Sequence, residues 1–179
     1  MKRNSQLYSQ IFIYILAILL TSFILVYGYN AIKNFQIRAE QVACLKFQNE
    51  LKSAVDSISS EYESVTRKDL QLCSGYKGVC FVDESPTTSP QFEYINYITN
   101  PTANDPIIID SISSGANKNV FFVDNLAKES FYAGKISIDE NIGNENIDVL
   151  CIKAVSNRIS LKLEGKGDHT LLSEWTENE

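Results

Sequence analysis

Between Asn4 and Ile32 the chain carries no charged residue, and from Asn30 to Glu63 it has neither proline nor glycine. All four prolines fall within 84–106, and there is a single histidine, His169. With no second histidine and no CxxC pair, a zinc site has poor support. No Walker A loop, dinucleotide fingerprint, zincin motif or EF-hand loop occurs. Positive charge is also short. Sixteen Lys and Arg stand against 22 Asp and Glu, for a net charge of −6. Phosphate binding needs a basic surface, so nucleic acid is not expected as a partner. With 44% hydrophobic residues and four cysteines in 179 residues, the chain is neither disordered, collagen-like nor a disulfide-dense miniprotein. Its length suits one domain, or one domain with an appendage.

What is present starts with the uncharged segment. From Ile11 to Tyr29, twelve residues are Ile, Leu, Phe or Val. On an insertion scale these favour the bilayer by about 4 to 7 kcal/mol. Nineteen residues at helical rise are enough to cross the hydrocarbon core. Tyr8, Tyr14, Tyr27 and Tyr29 lie near the two ends, where amphipathic rings favour the headgroup layer. A buried core helix rarely stays apolar on every face for so long. A secretory signal has a shorter apolar region and a small-x-small cleavage site, for which Tyr27-Gly-Tyr-Asn30 is a poor match. We therefore expect a single-pass helix over 11–29 after a short basic segment, 1–10, with the lipid bilayer as its partner. Lys2, Arg3 and the α-amino group outweigh Lys33 and Arg38 narrowly, which puts the N-terminus in the cytoplasm.

Beyond Tyr29 the helical pattern continues to about Glu63. Cys44, Phe47, Leu51, Val55, Ile58 and Tyr62 have the three-and-four spacing of one buried face. Ile32, Phe35, Ala39 and Val42 form a second stripe, roughly a third of a turn away at about 100° per residue. The lower stripe suits either a lipid or loop cover, or the same helix in a neighbouring copy. An assembly face would run through Ile11, Ile15, Leu19, Phe23, Val26, Ile32, Phe35 and Val42.

After Ser64 the pattern turns to short β-type runs: 79–82, 106–109, 119–123, 134–138, 147–153 and 158–163. The last alternates, with Ile159, Leu161 and Leu163 on one side and Ser160, Lys162 and Glu164 on the other. The proline-bearing stretch 84–106 reads as a long surface loop around a short 92–98 segment, and 141–146 as a polar connection. The expected class is α+β, a long N-terminal helix whose upper half packs on an antiparallel β head spanning 64–179.

Little in the head looks like chemistry. His169, Asp168 and Ser173 spell a triad in sequence, but neighbours along a chain are not a triad in space. Asp139-Glu140 and Glu61/Glu63 are expected to be solvated charges. Pro101 removes the only glycosylation candidate, at Asn100. The four cysteines, Cys44, Cys73, Cys80 and Cys151, are an even set and suit an oxidising compartment. Cys73–Cys80 around a two-glycine return, with Cys44–Cys151 joining helix to sheet, is the pairing expected first. Cys80–Cys151 between strands competes with it, and buried free thiols would also pack well.

The basic Lys2-Arg3, the Gln-bearing start at Gln6 and Gln10, the apolar helix, its amphipathic continuation and the small β head together resemble a type IV pilin, most nearly the archaeal type IV pilin-like proteins. The resemblance is one of layout, carried mainly by 1–63. It implies a non-enzymatic subunit without cofactors, self-associating through apolar helices with its head outside the cell, in the membrane or in a surface filament. Family members usually have Gly or Ala at the processing site, whereas here Arg3 is followed by Asn4-Ser-Gln-Leu-Tyr-Ser9. The early glutamate of bacterial pilin helices is absent too, so no cleavage or catalytic residue carries over. A membrane-tethered binding module that does not polymerise is the alternative. A tethered hydrolase would rest on His169 alone.

Overall fold

The computed structural model describes residues 4–84, 86, 90–95, 105–138 and 147–175. It is α+β. Helix α1 runs unbroken over Asn4–Ser59, 56 residues. The chain divides into two compact units, 1–41 and 42–179. In the first, α1 is exposed over 11–36 and 38–41 save for half-buried Gly28, and Thr21 donates its hydroxyl to the Ala17 carbonyl at 2.7 Å. Such back-bonding keeps a hydroxyl satisfied in an apolar helix.

In the second unit, α1 contributes Phe47, Leu51, Ala54, Val55 and Ile58 to a core shared with two sheets. Strands β1 (Val65–Gln71), β8 (Arg158–Gly165), β9 (Thr170–Glu174) and β6 (Ile136–Ile138) form one sheet in the order β1-β8-β9-β6. The other has β3 (Phe92–Ile95), β7 (Val149–Lys153), β2 (Gly78–Val82), β4 (Val120–Val123) and β5 (Ala127–Phe131) in the order β3-β7-β2-β4-β5. The pairs β3/β7 and β6/β9 are parallel and the rest antiparallel, so the single antiparallel sheet expected from sequence is two mixed ones.

The five-stranded sheet is buried on both faces. Val79, Phe81, Val120, Phe122, Leu150 and Ile152 join the α1 core. Their neighbours Cys80, Val82, Phe121, Val123, Val149 and Cys151 face a second core closed by helix α2 (Pro106–Ser113) through Ile108 and Ile112. Strand β2 is therefore buried along its whole length, which explains its unbroken apolar run.

Three expectations need correction. Residues 106–109 are helix rather than strand. Asp105 caps α2 by accepting from the Ile107 amide at 2.9 Å, and Pro106 supplies a preset φ at the first turn. The long helix stops at Ser59, so Tyr62 leaves the buried stripe and is exposed. Strands β1, β5 and β9 do not stand out in the sequence. The exposed edges β1 and β5 carry Thr-Arg-Lys-Asp and Lys-Glu-Ser, so they lack an apolar run. Residues 96–98, 139–140 and 141–146 lie outside the described residues.

The end of α1 is tied to β8 backbone to backbone. Glu63, with φ at 60°, donates to the Gly165 carbonyl at 2.9 Å, and the Gly165 amide donates to Ser64 at 2.9 Å. A Cβ at Gly165 would collide with the carbonyl oxygens of Ile58 and Glu61. Higher up, Thr170 donates its buried hydroxyl to the Val55 carbonyl at 3.0 Å. Gly165→Ala is expected to destabilise the head by about 2 to 3 kcal/mol through overpacking against backbone. Gly28→Ala, with nothing within 4 Å, should leave its unfolding unchanged. Thermal unfolding of both variants in detergent checks this.

Candidate functional site

Among the described residues, most of the exposed large apolar side chains lie on helix α1 between 11 and 45. One window of this helix is long and apolar enough to cross a membrane, with a mean hydropathy of 2.5. Ile11, Ile15, Leu19, Phe23, Val26, Ile32, Phe35 and Val42 are all exposed. Phe35 reaches 73% exposure and Val42 63%. Leu45, which continues the three-residue step from Val42, is exposed too, at 56%. The sequence held that signal, but Leu45 was not in the expected set.

The cysteines form two bridges, Cys44–Cys73 and Cys80–Cys151. The first-choice pairing of Cys73–Cys80 with Cys44–Cys151 is therefore replaced, and the competing Cys80–Cys151 pair is the one formed. Alternation along β7 gives the reason. Leu150 and Ile152 face α1, so Cys151 faces α2 on the far side of the sheet, beyond reach of Cys44. Cys80 and Cys151 are direct register partners of β2 and β7. Cys44 joins α1 to the residue pair 72–73 just after β1. With separations of 29 and 71 residues, chain entropy makes the bridges worth about 3.5 and about 4.5 kcal/mol.

His169 and Ser173 are not brought together. His169 Nδ1 bonds Asp168 Oδ1 at 2.6 Å in an exposed turn. Ser173 lies within β9 opposite Lys162, about 13 Å further along extended chain. The His169 bond holds the Asp168 carboxyl below the usual range. Among the described residues, no group of three His, Cys, Asp or Glu side chains is placed to hold a metal ion.

Hollows open on the head, two of which are described by their lining. A groove of about 770 Å³ lies between the 49–61 flank of α1 and β1. Ala54, Ile58 and Leu70 form its buried floor, while Glu50, Ser53, Ser57 and Lys68 line its sides. Lys68 pairs with Leu161 and so shares the core-facing side of the sheet, yet stays exposed. An inward-pointing charge of this kind guards a free strand edge against pairing. The second hollow, about 450 Å³, lies between the loop after α2 and the end of β2, and Lys118, Tyr132 and Lys135 line it. Asn119 beneath it is satisfied by the Gly134 carbonyl at 2.6 Å and the Ala133 amide at 2.9 Å.

Comparison of the chain with protein-family models, with curated proteins and with solved structures finds no match.

Tyr76 closes the aromatic cluster below β4, its ring stacked on Phe122 at 5.1 Å. Burial, and then its bond to Glu129, pushes its hydroxyl up to about 12. A pKa raised by folding contributes stability that is intact below the unfolded value near 10 and is lost as pH rises through about 12. Tyr76→Phe should therefore give a flatter fall in stability between pH 10 and 12 than wild type, read by denaturant unfolding across that range.

Proposed function

We propose that the chain is a non-enzymatic, pilin-like single-pass membrane protein that self-associates through its N-terminal helix and displays an acidic β head outside the cell. The observation that carries this reading is the set of exposed apolar side chains on α1 beyond 11–29: Ile32, Phe35, Val42 and Leu45. If Tyr29 marks the hydrocarbon boundary, Val42 and Leu45 lie 13 and 16 residues further on, about 20 and 24 Å at helical rise. The headgroup layer accounts for only about 5 to 8 Å of that. A strong tilt of about 40° still leaves Val42 about 15 Å out. Lipid cannot cover these side chains, and in water their exposure is unfavourable.

A second copy of the same helix is the partner that fits. Within the membrane, contacts between apolar helices depend on close packing rather than on water exclusion. Above it, burial of Ile32, Phe35, Val42 and Leu45 adds the hydrophobic contribution. Two disulfides support placing the head on the oxidising side of the membrane, with the N-terminus in the cytoplasm, in agreement with the charge count. Assembly into a surface filament is the further step that the type IV pilin layout suggests.

The tethered binding module remains the contrasting reading, with the groove beside β1 as its natural site. The two differ in what the helix surface does. Phe35→Glu and Val42→Glu, each leaving the 11–29 segment intact, should reduce crosslinking between copies in native membranes by at least about tenfold, while membrane insertion is unchanged. Crosslinking at the wild-type level in both variants would favour the tether.

A further inference from the structure

The two bridges differ in what surrounds them. Cys80 and Cys151 are 2% and 0% exposed, enclosed between the five-stranded sheet and α2. Cys73 is also buried, but its partner Cys44 is partly exposed on α1. Thiol–disulfide exchange requires a thiolate to reach a sulfur, so access governs its rate. Cys44 lies at the partly exposed edge of the core, so approach to its bridge needs less opening of the fold. Approach to Cys80–Cys151 requires the sheet or α2 to open.

The same bridge is the covalent tie between its part of the helix and the rest of the head. Among the described side chains of α1, Phe47 is the first fully buried one, and it packs edge-on to Phe122 at 5.2 Å. Before it, Val42, Leu45 and Lys46 are exposed, while Ala43 and Cys44 are only partly buried. Apolar contact therefore holds 47–58 firmly and 42–46 weakly. The covalent bond to Cys73, itself anchored beside buried Leu72, makes up the difference.

We propose that Cys44–Cys73 is a redox latch, opened selectively by a small dithiol, that releases 42–46 from the head while 47–59 and both sheets stay packed. One thiolate of the dithiol attacks the Cys44 sulfur, the S–S bond breaks, and Cys73 leaves as a thiolate that takes up a proton. The second thiolate of the reductant displaces Cys44 from the mixed disulfide and closes a cyclic disulfide. Two electrons pass from the dithiol to the bridge, and the protein gains two thiols. The bridge lies within one copy of the chain, so the exchange itself needs no second copy.

The test uses the full-length protein in nanodiscs, treated with graded dithiothreitol, alkylated and mapped by mass spectrometry. Cys44 and Cys73 should become alkylated at least about tenfold faster than Cys80 and Cys151. Amide exchange over 42–46 should rise at that first step, with β2 and β7 unchanged. Equal opening rates, or prior opening of Cys80–Cys151, would overturn the proposal. So would opening of Cys44–Cys73 without faster exchange over 42–46. A Cys44→Ser, Cys73→Ser double variant should show the raised exchange without any reductant. Wild-type exchange in that variant would also defeat it.

Discussion

The head depends on one packing relation, the burial of a single side of α1 between Phe47 and Ile58 against residues from both sheets. That side presents Phe47, Leu51, Val55 and Ile58 at helical spacing, and each is nearly or fully buried. Leu161, Leu163 and Leu172 meet it from the four-stranded sheet, and Phe81, Phe122 and Leu150 from the five-stranded one. Neither sheet could be left without this cover, since the inner face of each is apolar. Backbone contact then fixes the depth of the helix. Gly165 lets the carbonyls of Ile58 and Glu61 approach β8 closely, and Thr170 holds the Val55 carbonyl.

Once that side is committed inward, the exposure of Val42 and Leu45 follows from helix geometry, because both lie on other faces of the same helix. The same commitment orders the disulfides. Alternation along β2 and β7 sends Val79, Phe81, Leu150 and Ile152 toward the helix and turns Cys80 and Cys151 toward α2. One bridge then belongs to the outer core of the sheet and the other to the helix. Their different settings, one enclosed and one open at Cys44, arise from strand periodicity rather than from anything special to the cysteines.

The sequence revealed the long helix and its inward stripe because periodicity is strong where one face is buried. It revealed β2, β4, β7 and β8 for a related reason, since central strands here carry apolar runs or clean alternation. It concealed β1 and β5, whose exposed edge positions carry charges in place of an apolar pattern. Pro106-Ile-Ile-Ile109 misled because β-branched residues favour strands, while the cap at Asp105 and the burial of Ile108 decide for helix. The preferred cysteine pairing failed on a single point. Cys151 shares its strand face with Val149, and that face looks away from α1, whereas Ile147 packs in the α1 core. The exposed stripe was legible as far as Val42, and the structure extends it by one step to Leu45.

Among the described residues, the chain has one helix long and apolar enough to cross a membrane, and apolar side chains along it beyond 11–29 are exposed; that this helix is also a contact surface between copies is what we propose. The acidic head and its bridges suit an oxidising exterior. The most direct test of that account is to count copies of the wild-type chain by single-molecule photobleaching in bilayers at increasing protein-to-lipid ratio. The account predicts multi-step bleaching whose frequency rises with protein density and exceeds random co-occupancy. Single-step bleaching at every density would contradict it.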